Sequence, residues 1–248
     1  MRDRGSGSER GGSHKDRNRG ADAVQVICPV QAQAEDAAGA MRKTIDAIIS
    51  AITEIRPAKV LAISDYGAQV SDGTGITMIF HYLEEQFRRL PTMVTFLRSA
   101  EHMQNWARVI KVASETGVLP SLHHPVSKRF PTVSAQDVGS IAAQLLTDGV
   151  TVSAPRVVHV EGPRRYDANE VAATLGNIFG REVVARELPQ SDWIPILTRA
   201  GAGPSYARLV FDLYVAHNAG RIDVEQGATD IRFGITELRD VFVSLLGR

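Results

Sequence analysis

One stretch constrains the fold more than any other: KVLAISDYGAQVSDGTGITMIFHYLEEQFRRLPTMVTFLR, residues 59–98. An apolar run at 60–63 closes on the polar turn Ser64, Asp65, Tyr66, Gly67. Over residues 76–90, Ile76, Ile79, Phe80, Leu83 and Phe87 recur at helical spacing. A second apolar run at 93–97 ends on Arg98. Strand, helix and strand in that order predict a right-handed βαβ crossover with parallel strands. Both strands end in polar residues, and open α/β sheets bind ligands at the carboxyl ends of their strands. The functional site is expected there.

The flanking sequence extends the same pattern. AVQVICP, residues 23–29, reads as a strand stopped by Pro29. Met41, Ile45, Ile48, Ile49 and Ile52 mark an amphipathic helix over 35–55, which Pro57 ends. Downstream, 104–115 reads as a helix closed by Gly117, and the loop at 118–131, with three prolines, reads as an exposed rim or flap. Ser134 and Asp137 have capping-box spacing before a helix at 138–146. Residues 156–160 read as the last strand of the sheet. Asp167 and Glu170 then open a helix that Gly180 ends, 181–188 reads as a short strand, and Gly203-Pro204 opens a further helix. A closing helix is predicted over 236–246, so helices gather into a small lid after the sheet.

Composition narrows the function classes. With 28 Lys/Arg against 28 Asp/Glu the formal charge is zero, which gives no sign of nucleic acid or an anionic membrane as partner. No apolar run approaches the roughly 20 residues of a membrane span. Cys28 is the only cysteine, so no internal disulfide forms and a cytoplasmic, reducing setting is expected. Residues 1–20 hold six Lys/Arg against three Asp/Glu and no Val, Ile, Leu or aromatic residue, the composition of a disordered basic tail. A partial α/β domain over 21–150 and a last strand plus lid over 151–248 complete the expected organisation.

A dinucleotide-binding sheet normally carries a glycine-rich turn between its first strand and helix. None is present: Gly73-Thr-Gly75 precedes a helix but lies in a loop well past its strand. Tyr82 is followed four residues later by Gln86, so no Tyr-x-x-x-Lys pair occurs. His123-His124 lacks the further ligands of a coordination set. Arg164 and Arg165 form either a phosphate clamp or, better, a solvated turn.

Several pieces carry a family resemblance in order: ADAVQVICP, KVLAISDYGA, the helix opened by TGI, TMVTFLRSAEHMQNW, ETGVLPSL, FPTVSAQDVGSIAAQLL and RVVHVEGPRRYDANEVAATLG. Together they resemble the NmrA-like family of atypical short-chain dehydrogenase/reductases, which includes NAD(P)H quinone and azo reductases and nicotinamide-sensing regulators. The resemblance implies an α/β fold: an N-terminally truncated Rossmann-like parallel sheet, helices on both faces, and a mostly helical C-terminal lid. The family's opening strands and glycine-rich turn have no counterpart here, so strand 23–29 is expected at the sheet edge, where an uncharged strand offers a route to self-association.

The resemblance also implies site residues. Cys28 and Pro29 would lie beside the cofactor, or simply end a strand. Ser64 and Asp65 fall near the nicotinamide ribose, with Asp65 departing from the family's usual serine. Arg98 and Ser99 fall beside the nicotinamide, and Asn105 and Trp106 line the substrate pocket or pack. His81 is the candidate proton donor, its ordinary pKa lying near neutrality. Three readings follow: an NAD(P)H-dependent reductase of a small-molecule quinone or azo-type electron acceptor, its cofactor binding weak or lost; a non-catalytic nicotinamide-sensing or partner-docking module; and an inactive truncated product.

Overall fold

The computed structural model describes residues 21–150 and 154–247; the basic tail at 1–20 lies outside the described residues. Five parallel strands form the main sheet in the order β1 (Ala23–Val26), β2 (Lys59–Asp65), β3 (Met93–Ser99), β7 (Arg156–Glu161) and β9 (Ile231–Phe233). Val24 lies opposite Val60, Ala62 opposite Phe96, and Leu97 opposite Val158. Because side chains alternate along each strand, β2 and β3 feed two cores at once. On one face, α1 (Ala37–Ile55) and α2 (Thr77–Phe87) pack Met41, Ile45, Leu83 and Phe87 against Val60, Ala62, Val94 and Phe96. On the other, α4 (Ala135–Thr147) lays Val138, Ile141 and Leu145 on Leu61, Leu97 and Val158. The expected α/β sheet with helices on both faces is therefore present. Strand β1 pairs only with β2 among the described residues, and Ile27, just past it, is 62% exposed.

A satellite layer sits beyond β3. Strand β4 (Glu101–His102) pairs with β6 (Thr132–Val133), a 3-10 turn spans Met103–Trp106, and α3 (Ala107–Thr116) follows. Strand β5 (Val118–Ser121) pairs with β8 (Val184–Glu187). Helices α3, α5 (Ala168–Phe179) and α8 (Leu238–Leu245) share one apolar cluster around Ile110, Leu175 and Phe242. Asp167 and Glu170 open α5 as expected, and they do so as a capping box closed in both directions, while Gly117 and Gly180 end α3 and α5 at positive φ.

The structure departs from the sequence reading in four places. Residues 156–161 are not the last strand of the sheet, since β9 returns beside β7. Its short run Ile-Arg-Phe, with Phe233 61% exposed, carries no apolar pattern to betray it. The loop at 118–131 is not an exposed flap: His123 and Phe130 are buried and stack with ring centroids 3.7 Å apart. Asp137 closes no capping box; its carboxylate accepts from the backbone N–H and the hydroxyl of Thr236, both at 2.9 Å, tying α4 to the segment before α8. Finally, Pro195 masked helix α6 (Gln190–Arg199), although proline interrupts a helix only locally when packing holds it.

Helices α6 and α7 (Pro204–Asn218) form the lid, cemented by Trp193, Leu197, Val210 and Tyr214. The lid touches the sheet layer at Gly75, where the Ile76 N–H donates to the Leu209 carbonyl at 3.2 Å. Gly75 has φ +60°, and a Cβ there would stand 2.1 Å from that same oxygen. Only glycine permits both the left-handed backbone and the close approach. Gly75→Ala is expected to destabilise the fold by roughly 2–4 kcal/mol. Chemical denaturation with tryptophan emission as the signal reads this directly, and an unchanged midpoint would mean the lid does not bear on this contact.

Candidate functional site

The carboxyl ends of β1, β2 and β3 open into a cavity of about 340 Å³ roofed by α7. Its walls combine apolar groups, among them Ile63, Phe80 and Leu213, with Ser99, Asp65, Glu101 and His102 at the strand ends. From the lid come Tyr206, Tyr214 and His217, spaced so that one face of α7 looks into the cavity. This is where the βαβ stretch places a binding site.

Two carboxylates line the cavity in opposite electrostatic settings. Asp65 ends β2 and accepts from the Thr77 hydroxyl at 2.8 Å. Burial, more than that hydrogen bond can offset, and the nearby Glu101 charge push its pKa up to about 7. Glu101 lies across the cavity with Oε1 accepting from the Tyr214 hydroxyl at 2.7 Å and Oε2 at 3.0 Å from His123 Nε2. Burial works against its charge, yet His123, His217 and Tyr214 hold its pKa down near 2. His102 Nε2 lies 3.1 Å from the Ser99 hydroxyl, and burial lowers its pKa. His217 is pushed down to about 4 by burial and the His123 charge, and its Nδ1 has no hydrogen-bond partner among the described residues.

The cavity gathers some of the anticipated residues and not others. Cys28, Ser64, Asp65, Ser99 and Asn105 stand on its wall. Burial pushes the Cys28 thiol up to about 11, which leaves it unreactive near neutrality. Pro29 and His81 are not on the wall. A helix turns 100° per residue, so with Phe80 facing inward, His81 points aside, its Nδ1 2.7 Å from the Ala68 carbonyl. Trp106 lines a smaller neighbouring chamber instead.

Arg98 does not reach the cavity. Its guanidinium grips Glu84 of α2 in two hydrogen bonds of 2.8 Å and extends a third, of 2.7 Å, to Glu225. The Ser64 hydroxyl also donates to Glu84, at 2.7 Å, so its oxygen faces the helix as well. Arg165 likewise serves structure, pairing with Glu161 and Asp223 at 2.7 Å rather than awaiting a phosphate. Among the described residues no group of three or more His, Cys, Asp or Glu converges as a metal site, and no helix is long and apolar enough to cross a membrane.

The reading of the sequence missed Glu101, His102, Tyr206, Tyr214 and His217. The first two follow directly on the strand that ends at Ser99, and the other three lie on one stripe of α7. The signal was present in the spacing.

No protein-family model matches this chain, and no curated protein sequence matches it. Solved structures do. An Escherichia coli NADPH-dependent quinone oxidoreductase complexed with NADPH superposes with a TM-score of 0.76 at 17% identity, covering 94% of this chain and 79% of that one. Citrobacter sp. triphenylmethane reductase gives 0.74 at 15% identity, covering 94% and 79%. A mutant NmrA gives 0.63 at 14% identity, covering 94% and 72%. This chain shares its fold with these three proteins. Within that fold the cavity holds the strand-end position, with Asp65 and Glu101 on its wall.

Two measurements probe the cavity and the ion pair beside it. Arg98→Met leaves buried Glu84 with only Arg88 at 2.9 Å and the Ser64 hydroxyl at 2.7 Å as partners, and is expected to cost about 2–4 kcal/mol of stability; a loss below about 1 kcal/mol would return Arg98 to the list of ligand-facing residues. Asp65, with its raised pKa, keeps in the folded state a proton that the unfolded chain has released. Its contribution therefore falls as pH rises from about 4 to about 7. Unfolding of wild type and Asp65→Asn across that window should show the stability difference shifting toward the variant as pH rises. Parallel curves would contradict the assignment.

Proposed function

We propose that this protein is an NAD(P)H-dependent reductase of quinone- or azo-type acceptors, with the acceptor held in the cavity beneath α7. The observation that carries this reading is the cavity's place, at the carboxyl ends of β1–β3 and under a lid, in a fold shared with NADPH-dependent reductases. About 340 Å³ lies in the range of small-molecule sites and suits flat rings. A nicotinamide ring and its ribose fit beside Cys28, Asp65 and Ser99, where the site is mostly apolar with few polar groups.

The described residues fit the other half of the cofactor poorly. The loop from β1 to α1, residues 27–36, contains no glycine. The N-terminus of α1 is already occupied by the Asp36 carboxylate, which accepts from the Gly39 N–H at 2.9 Å. A negative side chain at that point opposes phosphate binding. We therefore assign no pyrophosphate cradle to these residues, and affinity for NAD(P)H would rest on the nicotinamide end. When bound, the cofactor supplies a hydride. This chain's own residues shape the apolar slot, exclude water beneath α7, and hold protons at its wall. His81 faces elsewhere, and on the wall Asp65 is the acid whose raised pKa suits it to hold a transferable proton near neutrality.

The missing cradle and the lack of a Tyr-x-x-x-Lys pair favour a second reading, a module that senses nicotinamide nucleotides without turning them over. Titration with NADPH, followed by nicotinamide fluorescence, tests binding. A saturable rise is expected, and no change up to millimolar cofactor would remove both readings. With binding established, oxidation of NADPH in the presence of a quinone, depressed at least about 10-fold by Asp65→Asn, supports the reductase. Binding without oxidation supports the sensor.

A further inference from the structure

A second chamber of about 90 Å³ adjoins the main cavity, meeting it at Glu101, Asn105, Arg108 and Tyr214. Beyond that shared wall its lining turns mostly apolar: Val109 of α3, Leu122, Leu188, and Ile196 and Leu197 of α6, with the Trp106 ring and the His123 ring, whose Nε2 is turned to Glu101. The shared carboxylate asks nothing of an occupant. Glu101 Oε1 accepts from Tyr214 at 2.7 Å and Asn105 at 3.4 Å, and Oε2 lies 3.0 Å from His123. An occupant with its own hydrogen-bonding groups would find them unmatched among the aliphatic walls, and leaving polar groups unpaired is costly. The chamber is thus suited to hydrocarbon, and its volume is roughly three water molecules' share of liquid.

From this geometry we infer that the side chamber selects acceptors bearing a short branched alkyl substituent, with the ring in the main cavity and the branch between α3 and α6. The inference rests on the reading of the main cavity as an acceptor site and adds the substrate's shape to it. It makes Val109 and Ile196 specificity-determining residues. A substituent of three carbons fills the space; a methyl group leaves most of it empty.

The test uses two neutral quinones that differ in that one group, 2-isopropyl-5-methyl-1,4-benzoquinone and 2,5-dimethyl-1,4-benzoquinone. Trp106 stands in the chamber wall, so quenching of tryptophan emission in the full chain reports binding with no cofactor present. The isopropyl compound is expected to bind at least about 10-fold tighter. Val109→Phe should fill the chamber and bring the ratio of the two dissociation constants to about one. Ile196→Ala should enlarge it and shift preference toward the 2-tert-butyl analogue. Equal affinities in the wild type, or a ratio untouched by both variants, would overturn the inference while leaving the acceptor site standing. If neither quinone binds, the acceptor reading falls with it.

Discussion

The buried pair of Arg98 and Glu84 holds the site's foundation in place. Arg98 ends β3 and Glu84 lies on α2, both within a few per cent of complete burial. Burial alone would raise the Glu84 pKa, but the Arg98 hydrogen bonds and charge, helped by Ser64 and Arg88, hold it below its ordinary value. Such a pair contributes little net stability over a hydrophobic replacement, yet breaking it is expensive because one charge is stranded. Its effect is geometric. Through one carboxylate it fixes β2, β3 and α2, and through Glu225 it draws in the segment that leads to β9. The cavity floor is made from the residues next to those anchored: Asp65 beside Ser64, and Ser99 beside Arg98.

On that floor the chain separates two acids by their surroundings. Glu101 has the Tyr214 hydroxyl at 2.7 Å and His123 Nε2 at 3.0 Å, so its charge is compensated despite burial. Asp65 has only the Thr77 hydroxyl and a backbone N–H against burial and the Glu101 charge, so it holds its proton toward neutrality. The two are coupled, since keeping Glu101 charged is part of what keeps Asp65 protonated. Groups of one type pushed apart in this manner suit division of labour in acid–base chemistry. Within the proposed reductase, one acid orients the lid through Tyr214 and the other carries a proton at the nicotinamide end.

The sheet was legible because its signals are local. The period of the apolar residues in 35–55 and 76–90, the runs at 60–63 and 93–97, and the caps at Asp167 and Gly180 each act within a few residues. What escaped depends on distant partners. Strand β9 is held by its pairing with β7 and has no pattern of its own. His123 and Phe130 looked exposed among prolines but are buried by Trp106 and Tyr214, which arrive from other segments. Asp65 and Ser99 could be placed by following strands to their ends. Arg98 follows the same strand, yet alternation turned it toward α2, and one residue's difference in direction separated a structural ion pair from a cavity wall. His81 failed for the analogous reason on a helix.

The same alternation bears on how tightly a dinucleotide can be held. At the strand ends the chain offers a shaped, mostly apolar slot, whereas at the start of α1 it offers a helix terminus that Asp36 has already satisfied. A pyrophosphate there would have to displace a carboxylate from the N–H groups it needs, with like charge opposing its approach. Burial of a nicotinamide ring and ribose is the larger favourable contribution left to these residues, and the ordering of a long flexible ligand counts against it. Affinity should then depend on the apolar contacts of the slot more than on salt-sensitive phosphate contacts. Binding that weakens steeply with ionic strength would point instead to cations outside the described residues.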